Sequence, residues 1–223
     1  MDKPISTPIN LSTNMKSVHQ LSEDYFDLLD LYIKQKRKYP NLVFELLTQR
    51  RYHSAFLKIK ELVDDVAIRT GVPITSFQTT HCDGQWRMPS EIIEQNYHPY
   101  NQGYGKCSHS GYHSIDIMDW LVRSSIKNRN QNIDKIEVLS DFMYPNDFEN
   151  HILKNYSRGH QEDARRTAII TFLKAINDNS IQRLSDIGDQ VESIGILSSI
   201  YKSAYLRKKG KNPLLKLKRR GNE

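Results

Sequence analysis

"DDVAIRTGVPITSFQTTHCDGQWRMP" spans residues 64–89, and the fold turns on what its chain does after Gly71. Up to that point Leu62, Val63, Val66 and Ala67 keep apolar side chains on one helical stripe. Gly71, followed by Val72 and Pro73, is a stop signal. Beyond it, Asp83-Gly84 is a strong two-residue hairpin turn, because both central positions of a type I′ turn take positive φ. Thr79, Thr80 and His81 on one side, and Gln85, Trp86, Arg87 and Met88 on the other, supply the arms.

A second reading makes Ile74 to His81 a helix. Ala67, Gly71, Val72 and Phe77 then take the packing, turn and pinning positions, and these twenty or so residues resemble a helix-turn-helix. That resemblance implies a base-reading helix with Gln78 in contact with DNA. The segment holds no Lys or Arg, and Thr75, Thr79 and Thr80 favour strand over helix. The hairpin is the better supported of the two, and it makes residues 72–112 an insert in a helical body.

Outward from this stretch the chain divides into five parts. Residues 1–20, with Pro4 and Pro8 and no helical period, read as a flexible arm. Residues 21–71 read as N-terminal helices. Ser22-Glu23-Asp24 is the expected first cap, Pro40 ends the first helix, and a second apolar stripe starts at Leu42, Val43, Leu46 and Leu47 and resumes at Phe56 and Ile59. The insert 72–112 includes the irregular run "NYHPYNQGYGKCSHSGYHS", which begins at Asn96. Residues 113–206 return to helix, from Ile115 to Ile126, after an Asn146/Glu149 cap, and over 161–177. Residues 207–223 form a basic tail. The fold class expected is mainly α: a multi-helix body with an irregular insert that can contain a β-hairpin, and flexible termini.

The last helix carries the most regular pattern. Leu184, Ile187, Val191, Ile194, Ser198, Tyr201 and Tyr205 alternate steps of three and four, the seam of a coiled coil or of a tightly packed helix pair. Leu184, Ile187, Val191, Ile194, Tyr201 and Tyr205 are therefore candidates for self-association, and a homo-oligomer is expected. Gly188 and Gly195, one heptad apart, permit close helix approach or break the helix.

Charge is unevenly spread. The net charge is +6, yet Lys202, Arg207, Lys208, Lys209, Lys211, Lys216, Lys218, Arg219 and Arg220 fall within nineteen residues that contain no acid. Without these nine cations the remainder sums to −3. A polyanion would be drawn to one end of the chain, and these nine residues are the candidate contacts for nucleic acid or an acidic protein surface. Mean hydropathy is −0.64, no apolar run is long enough for a membrane span, and the first residues lack the apolar core of a secretory signal. Two cysteines fit a reducing, cytoplasmic setting.

Three further constellations bear on chemistry. Cys107, His109 and His113, with Cys82 or His81 as a fourth ligand, have donor types that suit zinc, although no close cysteine pair is present. His109 and His113 precede Asp116 and Asp119, which admits a zinc-dependent hydrolase. Tyr97, Tyr100, Tyr104 and Tyr112, with Arg87 and Lys106, can stack on bases or pack on a protein. Gly103-x-Gly105-Lys106 is not a phosphate loop, and no nucleophile elbow occurs. The expectation is a non-enzymatic interaction protein that binds nucleic acid as a regulator or accessory factor. The alternatives are an assembly or scaffolding protein, as in a virus or mobile element, and a zinc-dependent hydrolase.

Overall fold

The computed structural model of the chain describes residues 10–11, 13–80, 107–127, 133–142, 170, 173–174 and 187–218. The architecture is mainly helical, as the periodicity predicts. Among the described residues, four long helices are α1 (Met15–Lys38), α2 (Ser54–Thr70), α3 (Tyr112–Lys127) and α4 (Val191–Lys208). Short 3₁₀ turns at Gln49–Tyr52 and Ile187–Gln190 precede α2 and α4, and a π turn at Cys107–Gly111 leads into α3. Strands β1 (Lys135–Val138) and β2 (Leu215–Lys218) pair antiparallel, with Ile136 opposite Leu217. The helices pack in the order α1, α4, α3, α2, and the small sheet rests on α4.

The first helix starts earlier than expected. Asn14 is the cap, its side-chain oxygen accepting from the Lys16 N–H at 3.0 Å. The Ser22 hydroxyl is used differently, bonding the Ser198 hydroxyl across the α1–α4 contact at 2.8 Å. The expected arm is therefore structure from residue 10 onward, except that residue 12 is not described: Leu11 is fully buried, and Asn10 turns the chain with φ 63°. The helix expected from Leu42 also moves. Residues 42–44 are irregular, and α2 begins only at Ser54, capped by the His53 imidazole, which accepts from the Ala55 N–H at 3.2 Å.

Gly71 ends α2 in the left-handed region (φ 68°), its N–H donating to the Ala67 carbonyl at 3.0 Å. Residues 72–80 contain no helix, so the helix-turn-helix reading fails. Threonines and Pro73 disfavour a helix there, and Ile74 and Phe77 instead pack beside Ile117, Trp120 and Leu121 of α3. The turn at Asp83-Gly84 lies outside the described residues.

The seam of α4 closes within the chain. Ile187, Ile194, Leu197 and Tyr201 join Leu11, Val18, Leu21 and Tyr25 of the N-terminal segment, and Tyr112 and Ile115 of α3. Ile187 and Ile194 are fully buried and Tyr201 nearly so, so α1 and α3 occupy the face assigned above to self-association. Val191 and Tyr205 are half-buried beside it, and Leu184 is not among the described residues. Within the chain, the 3.5-residue period marks a helix packed against α1 and α3.

Polar clamps cross each of these contacts. The buried Arg51 guanidinium grips Asp116 through two parallel bonds, Nη2–Oδ1 at 2.7 Å and Nε–Oδ2 at 3.0 Å. Burial is the largest single influence on the Arg51 pKa and lowers it, but the Asp116 charge and hydrogen bonds, with Tyr112 and Asp189, together outweigh it and the net shift is upward. Tyr25 donates to the Ile187 carbonyl at 2.5 Å, Tyr112 to the Gln190 side chain, and the Ser108 N–H to the Tyr201 hydroxyl at 3.0 Å. Ser193 donates to Asp119 at 3.0 Å, and Arg123 bridges Asp119 (3.1 Å) and the Asp189 carbonyl (2.6 Å). Tyr112, one of the tyrosines considered above for stacking on bases or packing on a protein, is a core residue.

Removing one partner of the central pair strands a buried charge. Asp116→Ala is expected to cost about 3–5 kcal/mol, whereas the paired change Arg51→Met/Asp116→Leu recovers most of that loss. Urea titration of both variants checks this. Asp119 gives a second test, since burial raises its pKa against the opposing pull of Arg123 and Ser193. A raised carboxylate pKa means the folded state holds the proton longer, so stability falls as pH rises from the unfolded pKa through the folded one. The neutral variant Asp119→Asn lacks this loss, and its stability relative to wild type should rise over the same pH window.

Candidate polyanion interface

The basic segment is largely folded. Arg207 and Lys208 lie in the last turn of α4, where cations also suit the negative end of the helix dipole. Lys209 caps the helix, and its ammonium sits 5.8 Å from the centre of the Tyr205 ring. Gly210 (φ 65°) reverses the chain, with the Lys211 N–H returning to the Leu206 carbonyl at 2.9 Å. The chain then enters β2. The tail expected from residue 207 is thus a helix end, a turn and a strand as far as Lys218, because Leu217 finds a place against the core beside Ile136. Arg219 and Arg220 lie outside the described residues.

This return fixes where the cations stand. Arg207, Lys208, Lys209, Lys211 and Lys216 are exposed, while Lys202 is half-buried one turn back along α4. Strand alternation turns Ile136 and Val138 inward and leaves Lys135, Glu137 and Lys216 outward. Lys218 stands opposite Lys135 in the backbone register. Two carboxylates temper the face. Asp141 accepts from Arg207 at 3.2 Å, and Glu137 is held below its usual pKa by the Lys135 hydrogen bond at 2.8 Å, with Lys216 3.7 Å away. Exposed pairs of this kind contribute little to stability and exchange readily for a stronger anion. Lys209 and Lys211 have no carboxylate within ion-pair distance among the described residues.

The other candidate residues separate. Cys107 is half-buried against the core, and burial pushes its thiol up to about 12, so it remains protonated near neutrality. His113 is buried in the first turn of α3; the His109 side chain and Cys82 are not described. Among the described residues no three His, Cys, Asp or Glu side chains converge to hold a metal ion. Asp116 and Asp119, the carboxylates of the hydrolase reading, are engaged by Arg51 and by Ser193 with Arg123. Sequence reasoning missed Arg51, which nothing local distinguishes from the half-buried Arg50 beside it. It also missed the outward cation Lys135, whose partner strand is remote in sequence.

Comparison with protein-family models, with curated proteins and with solved structures returns no match. Among the described residues no helix is long and apolar enough to cross a membrane.

Two glycines test how the face is held. A Cβ on Gly210 meets nothing within 4 Å, so Gly210→Ala exposes the left-handed backbone penalty alone, about 1–2 kcal/mol of destabilisation. A Cβ on Gly195, inside α4, also meets nothing within 4 Å, so no neighbouring group of this chain requires a glycine there. Gly195→Ala should stabilise by about 0.5–1 kcal/mol through helix propensity. Thermal melts of the two variants should move in opposite directions.

Proposed function

We propose that the chain is a non-enzymatic nucleic-acid-binding accessory factor that grips phosphates with the cations at the end of α4 and on β2. The observation that carries this reading is the placement of Lys208, Lys209, Lys211 and Lys216 on a folded, exposed platform. A solvated tail would pay an ordering cost on binding, which these residues have largely met already. Phosphate recognition needs only positive charge at the right spacing, and it releases condensed counterions. Base-specific contacts would have to come from elsewhere, since a lysine on a phosphate carries no sequence information. Arg219 and Arg220 extend the same charge in sequence.

Salt dependence tests the reading quantitatively. If about five phosphates are contacted on duplex DNA, the log–log slope against salt is about −4.5, and affinity falls roughly 500-fold between 50 and 200 mM. The triple variant Lys208→Ala/Lys209→Ala/Lys211→Ala should flatten that slope by about 2.7. Fluorescence anisotropy with duplex DNA and with single-stranded RNA measures both quantities. A slope unchanged by the triple variant overturns the assignment of the site. Retention of the chain by an acidic protein, with no nucleic-acid binding at any salt, overturns the assignment of the ligand and favours the assembly reading.

A further inference from the structure

Among the described residues, helix α2 stands at the end of the row of helices, packed on α3 and on the turn that precedes it. Its apolar stripe is wider than that contact needs. Ala67 is buried and Phe56 and Val63 are half-buried, all on the side facing α3. Ile59, Leu62 and Val66 are 41%, 51% and 47% exposed, a concentration of large apolar side chains on one face that a lone helix does not need. With Ala55, also exposed, they are spaced four, three and four residues apart, which is the seam of a two-helix coiled coil. Leu57 and Ile68 are exposed too, but they are eleven residues apart on the opposite flank and form no stripe.

The charges beside this seam say what covers it. Each β-branched seam residue is preceded by a charge on the outer border, Lys58 before Ile59 and Asp65 before Val66. Both are exposed, at 61% and 52%. The other border holds Phe56, which packs on α3, and Val63, which is half-buried. A second α2 running parallel would set Lys58 and Asp65 against uncharged positions. Running antiparallel, it sets Ile59 against Leu62 of the mate and large Val66 against small Ala55. Each Lys58 then lies within one turn of the mate's Asp65. The intrahelical pairs Lys58–Glu61 and Asp65–Arg69, each at 2.6 Å, extend these contacts into two four-charge chains.

We infer that α2 is a self-complementary docking face on which a second copy of this chain packs antiparallel, through Ile59, Leu62 and Val66 flanked by reciprocal Lys58–Asp65 pairs. The inference is independent of the phosphate-binding face, and it moves self-association from α4, whose seam is filled, to α2. Two short helices bury less than about 1,200 Å², so the dimer is of the weak class and its population rises with concentration. A dimer doubles the number of cationic faces offered to one polyanion.

Sedimentation velocity of the full chain over about a hundredfold range of concentration tests it. The wild type should pass from monomer to dimer, and Leu62→Glu should stay monomeric at every concentration with unchanged circular dichroism. Lys58→Glu or Asp65→Lys alone should each weaken the dimer about tenfold, by placing like charges together twice. The exchanged pair Lys58→Glu/Asp65→Lys should restore it to within about threefold. A wild type that is monomeric throughout, a dimer indifferent to Leu62→Glu, or an exchange that fails to rescue each overturns the proposal.

Discussion

The fold hangs on a charge pair that water cannot reach. Arg51 sits on the turn before α2 and Asp116 on the first turns of α3, and the guanidinium fork meets the carboxylate squarely. Taking both ions out of water costs several kcal/mol each, and only close, doubly bonded geometry offsets that. The turn, α2 and α3 therefore have one acceptable relative placement, whereas apolar side chains alone would tolerate several. Neighbouring groups narrow it further: the Arg50 guanidinium reaches Ser114 at 3.3 Å, and Asp64 of α2 accepts from Ser124 at 2.6 Å. Trp120 offers its ring face to Arg51, 5.6 Å from the ring centre.

A chain with 38% hydrophobic residues has little apolar surface with which to discriminate between packings. The interior here compensates with directional bonds. Ser193 and Ser203 are fully buried, and small hydroxyl side chains let α4 lie close to its neighbours while bonding to them. The Ser198 hydroxyl serves α1 in the same way. Each such bond adds only about 1 kcal/mol net, but leaving its donor or acceptor unmatched costs more, so wrong registers are penalised. Register is thus set by polar groups in a core whose bulk energy comes from Tyr25, Tyr112, Tyr201 and the aliphatic residues around them.

This division explains what the sequence made legible. Helix periodicity and local stops are short-range signals, so α2's end at Gly71 and the body of α3 could be read directly. The α4 seam had the right period, but its partner was out of reach, because a 3.5-residue repeat does not say whether the covering helix belongs to the same chain. The early start of α1 was hidden because one asparagine cap is a faint mark in a segment rich in proline and serine. Arg51 and Asp116 lie 65 positions apart, and both types are ordinarily assigned to solvent, so no local pattern joins them. The cations of the last twenty residues were visible as charge, but the strand that carries Lys216 was not. Its two leucines were read as part of a tail, since β1, the segment they pair with, lies some eighty residues earlier.

The return of that strand changes what binding to it would do. An anion held by an unstructured tail is held equally well by the unfolded chain, so it leaves folding stability untouched. An anion held by the end of α4 and β2 together meets its full set of cations only in the folded state, because Lys209 and Lys216 are brought to one face by the Gly210 turn and the β1–β2 ladder. Binding is then linked to folding, and the ligand stabilises the state that holds it. The same linkage runs through the core. Ser140, just after β1, bonds Ser203 and the Ile200 carbonyl of α4, and α4 in turn is held by Asp119 and Gln190 to α3, the helix that Asp116 ties to Arg51. The cationic face is therefore the far end of a continuous chain of bonds that begins at the buried pair, and its spacing is only as fixed as that pair makes it.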